Sequence, residues 1–255
     1  MLTATVRRLR TRRTPILPHE GPTGAEQRAG GRSGALRAAI FGANDGLVST
    51  LSLIMGVAGA GVDNSVVVLA GIAGLLAGAF SMAAGEYISM RVQREVFERL
   101  IHLEAHEIGS DHDAEREELA ELYREKGISA ELADRLAEEL MRDPKVALET
   151  HAREELGLDL EGGLGSPWAA AGSSFVTFAI GAIVPLIPFW IGSGNPAVVA
   201  SAFLSIGALF GVGAGMSYVT GRSFLVSGLR MMLLGSAAAA VTFAVGSLLH
   251  VSTAG

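Results

Sequence analysis

Apolar positions in this chain collect in two blocks, about 36–90 and 167–251, with a stretch dense in charge between them. Each block contains nearly uncharged runs of about 18 residues or more, enough for a helix to cross a bilayer core about 30 Å thick. Five spans follow from the breaks in these runs: about 36–60, 66–90, 168–191, 196–220 and 224–251. In lipid each must be a helix, because no water is present to satisfy backbone groups left unpaired. The pattern predicts an all-α membrane protein of five transmembrane helices, with a helical insert at 91–161 between the second and third.

Inside the insert the periodicity stays helical. The second span continues without a breaker through about 108. A helix near 113–126 ends at Gly127. Ser129 can cap the next, which runs to about Arg142, and Pro144 opens a last helix that stops at Gly157. Small residues recur every fourth position, at Gly74 and Gly78 and again at Gly207, Gly211 and Gly215. That spacing fits close helix packing, either within one subunit or between two. Pro185 and Pro188 are expected to kink the third span.

Charge sets the orientation. The chain holds 20 basic and 26 acidic residues, a net of −6. The insert takes 21 of those acids but only 10 of the bases. Outside it the bases gather in the N-terminal tail and at Arg222, while the turns at 61–65 and 192–195 carry none. Basic residues favour the cytoplasmic side. The tail and the insert are therefore expected inside and the C-terminus outside, with Arg230 snorkelling near the inner end of the fifth span. An acidic insert is no nucleic-acid footprint. The first 35 residues, with Arg7, Arg8, Arg10, Arg12 and Arg13, lack the apolar core of a secretory signal and read as a disordered basic tail. Cysteine is absent, so a metal site must use carboxylate, imidazole, thioether or carbonyl donors.

Such donors occur in two places. Asp45 lies about a third of the way into the first span, where a carboxylate costs roughly 2.5 to 3.5 kcal/mol on insertion scales and normally serves an ion or proton path. Glu86 lies near the inner end of the second span, with Met82 one turn before it. In the insert, a helical wheel of 91–108 puts Val96, Phe97, Leu100, Ile101 and Leu103 on the apolar face and His102 and His106 opposite. Glu104 and Glu107 fall on the apolar side, where burial is costly without a positive partner. Glu115 and Glu118 sit beside Leu122 in the next helix, and His151 and Glu155 flank Leu148 in the last. Oxygen donors with one nitrogen suit Fe2+, Mn2+ or Zn2+. The bland alternative is a solvated acidic hairpin laced with ion pairs. His112, at a turn, is undecided.

These residues carry a family resemblance. The chain from about 35 to 250 resembles the vacuolar iron transporters of plants and yeast and their bacterial relatives. The matching pieces are Asn44-Asp45-Gly46-Leu47-Val48-Ser49, the run from Ala77 through Ser81-Met82-Ala83-Ala84-Gly85-Glu86-Tyr87, the paired acids of the insert, Glu155-Leu156-Gly157-Leu158 and Pro185-Leu186-Ile187-Pro188. The resemblance implies a five-helix homodimer that exchanges cytosolic Fe2+ for protons along the subunit interface. It implies that Asp45 and Met82 line the path and that Glu104, Glu107, Glu115, Glu118 and Glu155 bind metal. Two departures stand out. Gly74 occupies a position where plant members have an acid, and His151-Ala152 replace two methionines.

The resulting reading is a multi-pass metal–proton antiporter that exports Fe2+, and Mn2+ with it, with no prosthetic group. Carboxylates suit that exchange because metal and proton compete for the same oxygens. Asp45, Met82 and Glu86 form the path, and His151 joins the insert's acids as a ligand. Ala-, Gly- and Arg-rich usage points to a bacterial plasma membrane; in a eukaryote the same topology would load a vacuole. Two rivals remain. A membrane-tethered di-iron oxidase would need Glu-x-x-His pairs on two helices, and none of His102, His106, His112 and His151 has a glutamate three residues before it. A membrane sensor with an acidic interaction domain would not need Asp45.

Overall fold

A computed structural model describes residues 24–160 and 165–249. Among them it contains eight helices and no strand: α1 (Gly24–Gly59), α2 (Asn64–Ser110), α3 (His112–Glu125), α4 (Ala130–Leu140), α5 (Pro144–Glu154), α6 (Pro167–Ile191), α7 (Gly194–Thr220) and α8 (Phe224–Leu249). Five of these, α1, α2, α6, α7 and α8, are long and apolar enough to cross a membrane.

Helix α2 sets the architecture. At 47 residues it is about 70 Å long for a rise of 1.5 Å per residue, more than twice the bilayer core. Its sequence accounts for this. No proline interrupts it, and the first half is apolar while the second carries regular charge. The second half therefore has to leave the lipid, and it forms the first helix of the insert. Helices α3 to α5 fold back on it around Ile108, Leu119, Ala120, Ala137, Met141 and Ala147.

Local signals fix the insert's turns. Asp111 caps α3 by accepting from the Ala114 amide at 3.3 Å, and Asp143 caps α5 by accepting from Lys145 at 2.8 Å, with Pro144 opening the helix. Gly127 and Gly157 adopt positive φ, 90° and 66°, which a residue with a Cβ adopts only with strain. Ser129 stands at the start of α4 as expected, but its side chain makes no capping hydrogen bond.

In the apolar part α1 is central and packs on α2, α6, α7 and α8. Leu47, Leu51, Ile54, Leu186, Phe189 and Leu209 form the main core. Contact with α6 is backbone to backbone: a Cβ at Gly46 would collide with the Phe178 carbonyl, and one at Gly181 with the Ala43 carbonyl. That contact holds Asp45 in register. Pro185 and Pro188 both lie inside α6. Neighbouring carbonyls are used from outside the helix, Pro185 by the Ser201 hydroxyl at 2.7 Å and Phe189 by the Asn64 amide at 3.1 Å.

Three expectations change. Helix α1 starts at Gly24, so the structureless tail expected over 1–35 does not hold for 24–35; residues 1–23 lie outside the described residues. Extending an existing helix avoids the nucleation cost, so a segment with alanine, glutamine and arginine joins α1 readily. The two small-residue repeats also differ. Gly74 and Gly78 pack within the chain, against Leu53 and the Phe178 ring, whereas a Cβ at Gly207, Gly211 or Gly215 would meet nothing within 4 Å. Lastly, Val96 and Leu103, assigned to the insert's apolar face, are 49% and 50% exposed; the packed stripe of α2 runs instead through Glu104 and Ile108.

Gly46→Val should lower the melting temperature of the detergent-purified protein sharply, since overpacking costs about 1–3 kcal/mol even where the core can shift. Gly172→Ala, with open space around its Cβ, should leave it unchanged.

Candidate metal cluster and membrane cavity

Three helices of the insert converge on one imidazole. Glu104 is on the packed face of α2, Glu115 on α3, His151 on the last turn of α5, and Glu155 at its C-terminal cap. His151 is fully buried and Glu104 is 5% exposed. The His151 Nδ1 atom lies 2.9 Å from Glu155 Oε1, 3.0 Å from Glu104 Oε1 and 3.7 Å from Glu115 Oε2. Each of the four residues offers a ligand atom, and these atoms lie within 4.8 Å of one another. Only Glu155 meets Nδ1 with hydrogen-bond geometry; Glu104 Oε1 and His151 Nε2 are buried without a hydrogen-bond partner. Three carboxylates and an imidazole this close, with donor atoms left over, form a set that a divalent cation fits.

The protonation pattern follows from the same crowding. Burial alone would lower the His151 pKa, but the Glu104 and Glu155 carboxylates outweigh it and raise it to about 9. Burial, and then the charges of Glu104 and Glu118, push Glu115 up to about 7. Without metal, a proton on His151 supplies the positive charge that the acids need.

Glu118 thus acts on the cluster through its field, although it is not one of the four converging groups. Glu107 is exposed and outside the group. The reason is angular: the buried stripe of α2 joins Glu104 to Ile108, and a residue three positions on is rotated about 60° from Glu104 at 100° per residue. His102 and His106 are exposed, on a different face from the cluster. His112 lies 3.1 Å from the Met141 carbonyl and links the start of α3 to the end of α4. The hairpin alternative also finds a place, on the outside. Arg91–Glu95, Arg94–Glu98 and Lys145–Glu149 pair along their own helices. Arg124 joins Glu117 and Glu121 of α3 to Asp134 of α4.

A second constellation lies in the membrane-spanning part. Asp45 of α1 and Met82 and Glu86 of α2 line one cavity of about 410 Å³. Ser49, Thr50 and Ser81 add hydroxyls, and Phe41 and Phe178 form apolar wall. Gly74 also lines it and contributes no ligand. No ion pair to Asp45 is formed among the described residues, whereas Glu86 is met by Arg37 Nη2 at 3.3 Å. Arg37 was not singled out from the sequence. The available signal was an arginine just inside a span, which needs a partner or a route to the surface.

This is a multi-pass helical membrane protein with an acidic cluster among its charged helices and a carboxylate–thioether cavity among its apolar ones. The VIT family's sequence model matches residues 36–247, and the chain belongs to that family. It is 35% identical to the Vacuolar iron transporter of Acanthamoeba castellanii over 219 residues, 86% of this chain and 80% of that protein. With Vacuolar iron transporter 1 of Arabidopsis thaliana it shares 32% over 212 residues, 82% and 83% of the two chains. With Vacuolar iron transporter homolog 2 of Oryza sativa it shares 34%, covering 82% and 88%. These relatives are named as transporters, not enzymes.

A divalent ion entering this cluster would have to displace protons from it. Both raised values favour the protonated, folded insert at low pH. Their stabilisation is full below about 4.5 for Glu115 and about 6.5 for His151, and is lost as pH rises through about 7 and about 9. Metal affinity should therefore climb between pH 5 and 9. Calorimetry in buffers of different ionisation enthalpy should find about two protons released per ion at pH 6 and about one at pH 8. Glu104→Gln should weaken binding in the same titration, and Glu107→Gln should leave it near wild type.

Proposed function

We propose that this chain exports divalent metal from the cytosol, Fe2+ foremost and Mn2+ with it, in exchange for protons. The carrying observation is that Asp45, Met82 and Glu86 line one cavity, while the helix bearing two of them runs on without a break to Glu104 of the cluster. Glu86 to Glu104 is about 27 Å along that helix. The cluster captures the ion and raises its local concentration beside the path. At Asp45 and Glu86, metal and proton compete for the same oxygens, which couples their movements. Relatives named vacuolar iron transporters support the iron assignment. The Met82 thioether favours Fe2+ over Mg2+ or Ca2+, and His151 extends the insert's range toward Mn2+ and Zn2+.

The orientation keeps the insert and the tail cytoplasmic, as the basic residues require, in a bacterial plasma membrane. The functional unit is a homodimer. Its support is the apolar stripe Val92, Val96 and Leu103 on the charged half of α2, each about half exposed, which water would not favour unless a second copy covered it. The di-iron oxidase is disfavoured by the cluster itself, which holds one imidazole and no Glu-x-x-His pair.

Reporter fusions after His112 and after Gly255 should report opposite sides of the membrane; the same side for both would exclude an odd number of crossings. In sealed vesicles bearing the purified protein, Asp45→Asn should cut Fe2+ uptake on the order of tenfold or more, because it removes a charge the bilayer tolerates only for a purpose. Metal binding at the insert and the melting temperature should stay close to wild type. Uptake at the wild-type rate would make Asp45 structural.

A further inference from the structure

We propose that Arg37 is a tethered cation that occupies Glu86 between transport events, excludes monovalent ions and gives way to a divalent one. It is a selectivity-determining residue of the path, and the inference rests on the transport reading above.

The geometry places the pair at the insert-side mouth of the cavity. Arg37 precedes Asp45 on α1 by two turns, about 12 Å toward the tail. Glu86 follows Met82 on α2 by one turn, toward the insert. Arg37 Nη2 lies 3.3 Å from Glu86 Oε2. An ion arriving from the insert therefore meets this pair before it reaches Asp45. Glu86 is the fixed member, its side chain 12% exposed, and Arg37 the outer one, 66% exposed.

A simple clamp between α1 and α2 accounts less well for these facts. Arg37 holds Glu86 through one contact at 3.3 Å, and α1 is already held by close backbone contact with α6. A displaceable neutraliser needs the opposite properties: a weakly held cation, a carboxylate that lines the path, and somewhere for the cation to go. Arg37 has such a place. It also lines a second cavity of about 410 Å³, with Ile40, Met216 and Met231 among its walls. The arginine stem can lie there while the guanidinium stays at the surface.

Selectivity follows from Coulomb's law. A monovalent ion that displaced the guanidinium would trade one unit charge for another and gain nothing. A divalent ion at the same distance gains twice the attraction.

The test compares Fe2+ uptake into proteoliposomes under reducing conditions, with and without excess K+. Wild type, Arg37→Gln, Arg37→Lys, Glu86→Gln and the Arg37→Gln/Glu86→Gln double variant are used. Arg37→Gln should lower the half-saturating Fe2+ concentration by about threefold or more and make uptake sensitive to K+. Arg37→Lys, which keeps the charge, should stay near wild type. In the Glu86→Gln background the Arg37→Gln change should have no further effect. Unchanged half-saturation and K+ insensitivity in Arg37→Gln overturn the inference, as does the same shift with Glu86 already removed. Arg37→Met, which keeps the stem's packing, replaces the glutamine variant if that one does not fold. A wild type that takes up no Fe2+ overturns the transport reading and this inference with it; an active wild type with an indifferent Arg37→Gln overturns this one alone.

Discussion

Moving an ionised carboxylate away from water costs several kcal/mol unless a positive charge or hydrogen bonds take the water's place. This chain puts carboxylates in that position at two sites, and each site has a cation of its own. In the insert it is a proton on His151, held by Glu104 and Glu155. At the mouth of the membrane cavity it is Arg37 on Glu86. Several outer acids of the insert pair with arginines instead, Glu95 and Glu98 along their own helix and Asp134 across to the next. On the proposed reading the chain binds metal transiently and has to remain folded without it. Resident cations would meet that need while leaving the oxygens available for exchange.

The two sites share one helix, α2. It carries Met82 and Glu86 in its apolar half and Glu104 in its charged half, within one 47-residue helix. On the proposed reading, any shift of the insert on binding at Glu104 would reach the mouth of the cavity through a helix with no break between them. Asp45 sits on α1, which is locked against α6 through Gly46 and Gly181. Both walls of the cavity rest on α6, since Gly78 of α2 packs against the Phe178 ring.

Much of this is legible in the sequence. Five apolar helices, the unbroken passage of the second into the insert, and the stops at Gly127 and Gly157 follow from hydropathy and from where glycine and proline fall. Asp45, Met82 and Glu86 came from the rule that polar groups at membrane depth have work to do, and they share a cavity. The acids of the insert were harder to sort. A wheel drawn on hydropathy counted Val96 and Leu103 as inward and could not separate Glu104 from Glu107. The separation depends on where α3 and α5 cross α2, which is a tertiary fact. Arg37 escaped notice because a pair spanning 49 positions in sequence leaves no local pattern.

Gly74 bears on how metal and proton flow are tied together. It lines the cavity without a ligand, so on the proposed reading the coupling has to be carried by Asp45 and Glu86. These two differ in setting. Glu86 is met by Arg37 at 3.3 Å, so an ion arriving there has a guanidinium to displace. Asp45 has no such cation among the described residues, and on the proposed reading metal and proton compete for it directly. Metal would then displace the guanidinium at Glu86 before it reaches Asp45. Two carboxylates in series can carry the exchange without a third acid in the second span, at the position that Gly74 leaves bare.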